Sequence, residues 1–203
     1  MENTKKPAFL KGSIQEYIYL SYLYLLIVGT LSYSIYYSFL GINIIKYSTV
    51  LDILLSPIVI LTENIKIPLF MGGYLLLVIL LIWWLQKRIK KKLKKEITEE
   101  KESKLKKQHA SLQYIKFLIP IMGTLGFYIG YALGGGYKTN NNIQNGDFKV
   151  NKLIEFTDGN MQKVKLLELN SQYAFYVLEN ERKISISPIS GNIKTIHSIE
   201  QSN

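Results

Sequence analysis

LFMGGYLLLVILLIWWLQKRIKKKLKK, residues 69–95, passes from hydrocarbon-like side chains to dense positive charge within a few positions. Leu69 to Leu85 carries no charge, and Lys87, Arg88, Lys90, Lys91, Lys92, Lys94 and Lys95 follow almost at once. Trp83 and Trp84 stand at the seam. Indole rings settle at the headgroup level of a bilayer, and clusters of Lys and Arg stay on its cytoplasmic side. The stretch therefore predicts a transmembrane helix over 68–86, with Trp83 and Trp84 as its interface belt and Pro68 in its first turn, where a missing N–H costs little.

The surrounding charge supports this. Residues 86–113 hold eleven Lys/Arg against four Glu, which accounts for most of the chain's net +10, whereas from Asp147 onward seven basic and seven acidic residues cancel. A nucleic-acid-binding fold spreads its cations over a folded surface, so a single basic loop disfavours nucleic acid as a partner. Ile89, Leu93 and Ile97 recur every four residues, and no Gly or Pro interrupts 74–119. A basic cytoplasmic helical hairpin over 87–113 is expected, whose seven cations from Lys87 to Lys95 would meet anionic lipid or a cytoplasmic protein.

Two further blocks can span a bilayer. Tyr17 to Leu40 is uncharged, and at about 1.5 Å per residue it reaches roughly 36 Å, enough for a hydrocarbon core of about 30 Å. Tyr114 to Leu133 is the other, with Lys116 near one end, where it can snorkel. Lys5, Lys6 and Lys11 precede the first block without a small-x-small cleavage site, so it reads as a retained anchor. The expected order is a cytoplasmic tail (1–16), span 1 (17–40), span 2 (68–86) and span 3 (114–134). Crossing once after the basic hairpin places everything beyond 134 outside the cytoplasm, as in a bacterial inner membrane.

Residues 41–67 are ambiguous. Ile42 to Leu61 is apolar but contains Lys46, Asp52 and Pro57, and a mid-membrane Asp costs about 2.5–3.5 kcal/mol. Ser48, Asp52 and Ser56 at i, i+4 and i+8 share one helical stripe, with Leu51, Leu54 and Ile58 opposite. An amphipathic or re-entrant extracytoplasmic helix is expected, with Asp52, Ser48 and Ser56 as its polar group.

In the third span Gly126, Gly130 and Gly134 recur every four residues, a pattern that strips one face so that another helix can approach, either the first span or a second copy. The first span is rich in Tyr and Ser, which reads as membrane-belt and helix-packing behaviour. After a Gly/Asn linker over 135–146 the period changes. Phe148–Thr157, Met161–Leu169, Tyr173–Leu178, Lys183–Ser187 and Ile193–His197 read as five short strands separated by turn residues. They predict a small all-β domain over 147–203, an SH3-like meander or barrel. At this size it is marginal alone and should dock on a partner copy, another protein or the membrane helices.

Cysteine is absent, which removes thiolate chemistry. His109 and His197 fall on opposite sides of the third span in this topology, and no catalytic, cofactor or metal motif is present. The sequence thus suggests a non-enzymatic subunit needing no cofactor: a homo-oligomeric, multi-pass sensor, scaffold or accessory component of the cell membrane. A pore-forming or transporter subunit is the alternative.

Overall fold

A computed structural model describes residues 13–93 and 99–199. Lys94 and Lys95, residues 1–12 of the expected tail, 96–98 of the hairpin and 200–203 of the β domain lie outside the described residues. Among the described residues four α-helices precede a β-sheet: α1 (Ile14–Phe39), α2 (Val50–Glu63), α3 (Lys66–Leu93) and α4 (Glu99–Asn145), with a 3₁₀ turn (Ile44–Tyr47) between α1 and α2. Three are long and apolar enough to cross a membrane, over Ile14–Phe39, Lys66–Ile89 and Tyr114–Asn145.

Helix boundaries follow local chemistry. α1 begins ahead of the expected Tyr17 because Ser13 and Glu16 form a reciprocal cap: the Ser13 N–H donates to Glu16 Oε2 at 3.1 Å and the Glu16 N–H donates to Ser13 Oγ at 3.3 Å. The expected helix over Ile42–Leu61 is shorter. Ser48 is extended (φ −120, ψ 141), so it does not share a helical stripe with Asp52 and Ser56. α4 is longer, because residues 135–145 continue the helix where a Gly/Asn linker was expected. It ends at Gly146, whose φ of 72 suits a residue without a Cβ; the Gly146 N–H donates to the Ile143 carbonyl and the Asp147 N–H to the Asn142 carbonyl.

The sheet contains β1 (Lys152–Phe156), β2 (Met161–Leu169), β3 (Tyr173–Leu178), β4 (Ile184–Pro188) and β5 (Ile193–Ser198). Its order is β4-β3-β2-β1-β5 and every pair is antiparallel. Four strands form a meander, and the fifth returns beside the first. The five expected strands are all present; β1 starts at Lys152 rather than Phe148.

The chain divides into two compact units, Met1–Tyr24 with Ile58–Tyr128, and Leu25–Pro57 with Ile129–Asn203. In the first, aromatic side chains join helix to helix. The Tyr24 hydroxyl donates to the Ile121 carbonyl at 2.8 Å and meets Thr124 Oγ1. The Tyr74 hydroxyl donates to the Ile119 carbonyl at 3.3 Å, and Phe70 and Phe127 have ring centroids 6.2 Å apart. A Cβ at Gly123 would collide with the Tyr74 ring, so this glycine makes room for it. Near the end of α3, Lys87 lies 4.9 Å from the Trp83 ring and Arg88 5.1 Å from the Trp84 ring, which fixes both cations at indole level.

In the second unit the sheet has two apolar faces. Ile154, Val164, Ala174 and Tyr176 form one core with Phe156, Leu166, Leu178, Ile189, Ile193 and Ile196. On the reverse side, Phe175 packs with Tyr33, Tyr37 and Ile44. The β domain therefore docks on helices of its own chain, one of the three surfaces expected for it.

Candidate functional site: the junction between the sheet and the helix ends

The junction begins with β3. Its sequence YAFYVL alternates direction, so Ala174 and Tyr176 enter the sheet's own core while Phe175 and Tyr173 face α1 and the 3₁₀ turn. Ala174, Phe175 and Val177 are all fully buried, a pattern typical of a strand covered on both faces. Phe175 lies 5.4 Å from the Tyr37 ring and 6.2 Å from the Tyr47 ring, and Tyr47 lies 5.4 Å from Tyr173. The apolar run of β3 carried this information in the sequence, because a half-exposed strand would have alternated with polar residues.

Beside it, β2 carries a bulge. The β2–β3 register shifts between Leu166 and Glu168, and such an extra residue re-aims the side chains that follow. Leu166 belongs to the sheet core, Leu167 packs against Phe175 and the tyrosines, and Glu168 reaches the same side. The Tyr37 hydroxyl donates to Glu168 Oε2 at 2.6 Å, and the Tyr33 hydroxyl donates to Glu168 Oε1. Tyr33 and Tyr37 are one helical turn apart, so their hydroxyls converge on one carboxylate. A half-buried carboxylate gains from such donors. Neither Glu168 nor its pairing with these tyrosines was foreseen from the sequence, where no signal announces a bulge.

A second attachment joins the β2–β3 turn to the start of α2. Thr49 caps this helix: the Asp52 N–H donates to Thr49 Oγ1 at 3.2 Å, while the Thr49 N–H and Oγ1 donate to Asp52 Oδ2 at 2.8 and 2.7 Å. Ser171 donates to the same carboxylate, from its N–H at 3.1 Å and from its Oγ at 2.8 Å. Desolvation alone would raise the Asp52 pKa, but the bonds from Thr49 and Ser171 outweigh it and hold the carboxyl below its ordinary value. The neighbouring Asn170 Nδ2 donates to the Tyr47 carbonyl at 2.8 Å, and its Oδ1 accepts from the Tyr173 N–H at 2.7 Å.

Ser48 and Ser56 complete the expected polar group, and the structure separates their roles. Ser48 Oγ is buried without a hydrogen-bond partner among the described residues. Ser56 is fully buried and its hydroxyl donates to the Ile53 carbonyl at 2.9 Å. Pro57 lies four residues beyond Ile53 and has no N–H to give that carbonyl, so the Ser56 hydroxyl takes its place. A Cβ at Gly29 of α1 would collide with the same oxygen, so the glycine lets this carbonyl approach. The polar side of α2 faces protein.

The third attachment is at the end of α4. Arg182, in the β3–β4 turn, donates from Nη1 to the Gln144 carbonyl at 2.9 Å and neutralises a helix C-terminus. Along α4, Tyr36 Oη lies 3.0 Å from Thr139 Oγ1, and a Cβ at Gly136 would come within 2.7 Å of the Tyr36 carbonyl oxygen and 2.9 Å of the Phe39 ring. Close approach to α1 thus occurs at Gly135 and Gly136. At Gly126, Gly130 and Gly134 a Cβ would meet nothing within 4 Å among the described residues, so none of them packs closely against the expected face.

Elsewhere on the sheet, Glu155 accepts from Lys194 Nζ at 2.6 Å and from Thr195 Oγ1 at 2.8 Å; these bonds, led by that to Lys194, hold its carboxyl below its usual range. His197 Nε2 lies 3.1 Å from Thr195 Oγ1. Exposed pairs of this kind contribute little to stability. Among the described residues no group of three or more His, Asp and Glu side chains could hold a metal ion.

No protein-family model, curated protein or solved structure matches the chain.

Proposed function

We propose that this chain is a non-enzymatic, multi-pass membrane subunit, an oligomeric sensor, scaffold or accessory component that ties a β domain outside the cytoplasm to a basic hairpin inside it. The observation that supports this most is the threefold attachment of the sheet: Glu168 to Tyr33 and Tyr37, Ser171 to Asp52, and Arg182 to the end of α4. A domain held by a flexible linker could bind a ligand without disturbing the helices. One held by buried aromatic packing and charged hydrogen bonds passes displacement to α1 and α4.

The orientation rests on the Lys and Arg cluster at the end of α3, which stays cytoplasmic and meets anionic lipid or an acidic protein there. The oligomer rests on the uncovered Gly126, Gly130 and Gly134 face, open to a second copy. The return of β5 beside β1 after a four-strand meander supports an SH3-like barrel. Asp52 favours an attachment role over a pore lining, because Thr49 and Ser171 already occupy its carboxylate oxygens.

The test is a copy-number measurement in mild detergent on the intact chain and on a variant with Lys87 to Lys95 neutralised. An assembly of several copies, holding a soluble cytoplasmic protein that the variant releases, is the expected result. A monomer that binds nothing sinks the reading. Current through reconstituted bilayers, abolished by Asp52→Asn, would establish the pore instead.

A further inference from the structure

We infer that α2 is a lipid-seated helix, lying along one face of the bilayer with Val50, Leu51, Leu55 and, by helical register, Ile58 against acyl chains, while its opposite side holds the β2–β3 turn. This goes beyond the proposed function and rests on its premise that the chain spans a membrane.

α2 reverses the usual amphipathic arrangement. In a helix at a water boundary the polar side is the exposed one. Here Ser56 is fully buried and Asp52 is bonded to Ser171, whereas Leu51 is 61% and Val50 58% exposed. An uncharged apolar stripe turned away from its own protein calls for an apolar neighbour.

Length and end charges place that neighbour. Fourteen residues at about 1.5 Å each give roughly 21 Å, short of a core of about 30 Å. Both ends are polar: Lys46, Thr49 and Asp52 at the start, Glu63 at the finish, and Asn64 and Lys66 just past it. A helix descending into the bilayer would leave Glu63 and Lys66 in hydrocarbon, a cost of several kcal/mol at roughly 3 kcal/mol per charge. Lying in the plane keeps both ends in the headgroup layer and sinks the apolar stripe by about 5–10 Å, as interfacial helices do. Such helices ordinarily turn a cationic side to water; in α2 that side is already covered by α1 and the β2–β3 turn. The interaction surface is thus specific for acyl chains at one leaflet's boundary, and Ser171 on Asp52 makes the β2–β3 turn follow the position of that boundary.

The chain contains no cysteine, so single labels are unambiguous. Leu51→Cys, Leu55→Cys and Ile58→Cys, each carrying a nitroxide in the full chain reconstituted into phosphatidylcholine vesicles, are compared with Gln172→Cys and with Leu80→Cys in α3. The expected result is an oxygen-to-nickel-chelate collision ratio several-fold higher at 51, 55 and 58 than at 172, and highest at 80. Water-like ratios at 51, 55 and 58 with a lipid-like ratio at 80 overturn the inference and leave the membrane reading standing. Dipolar broadening between labels at 51 or 55 makes a second copy the occupant and also overturns it. A water-like ratio at 80 removes the membrane reading itself.

Discussion

Glu168 shows how one side chain can decide whether a domain is attached or loose. Its oxygens accept from the hydroxyls of Tyr33 and Tyr37, and a hydrogen bond to a charged group contributes about 1.5–3 kcal/mol. Tyr37→Phe should therefore lower thermal stability by an amount in that range, and Glu168→Gln by a similar amount. The double variant should cost less than the sum, since both changes break one interaction; strict additivity in a melting experiment would show that the two do not interact. Asp52 makes a pH-dependent prediction. Its folded-state pKa lies below the unfolded value, so its stabilising contribution is complete above the ordinary carboxylate value of about 4 and is lost as pH falls through the depressed folded value. The protection of the Asn170–Gln172 amides, their exchange taken relative to the pH-dependent intrinsic rate, should be flat from neutrality to about pH 4 and fall below it. Asp52→Asn should be less protected at neutral pH and lose that acid-dependent fall. The sequence marked Asp52 as the exceptional charge in an apolar segment, but its partner Ser171 is separated from it by two helices and two strands and left no local trace.

At the level of elements, glycine position separates packing within the chain from packing beyond it. Gly29→Ala would push a methyl into the Ile53 carbonyl, and overpacking of a rigid contact costs about 1–3 kcal/mol. Gly136→Ala, facing the Tyr36 backbone, belongs to the same class. Gly130→Ala meets open space and should keep protomer stability or raise it by up to about 1 kcal/mol, since Ala favours a helix interior over Gly, while weakening self-association, which chemical denaturation and detergent-phase cross-linking would separate. The four-residue spacing found the exposed glycines and passed over Gly29 and Gly136, because each of those answers a single bulky or backbone neighbour rather than a periodic one. The same local origin explains α4. Three consecutive glycines and an Asn-rich tail have low helix propensity, yet the segment is helical through Asn145, where close contact with α1 and the Arg182 bond to Gln144 favour that conformation. Strands were more legible, since their period of two and their turn residues are written locally.

For the whole molecule, the apolar blocks and the lysine cluster were plain in composition, so helices able to cross a membrane and a terminal sheet could be read in advance. How the sheet seats on the helix ends could not, because a bulge, a capped helix start and an arginine in a turn form that attachment. If the proposed orientation holds, protease added to right-side-out vesicles should reach loops of the β domain and spare the hairpin at 87–113; the reverse pattern would invert the topology. The two-sided burial of β3 also affects how the protein can be studied. Severed from the helices at Asn145, the remaining fragment would leave Phe175, Leu167 and Ile186 bare. Binding screens run on such a truncation would measure an adhesive wound, and crystals or pull-downs obtained from it would describe the cut surface rather than the ligand it meets in the cell.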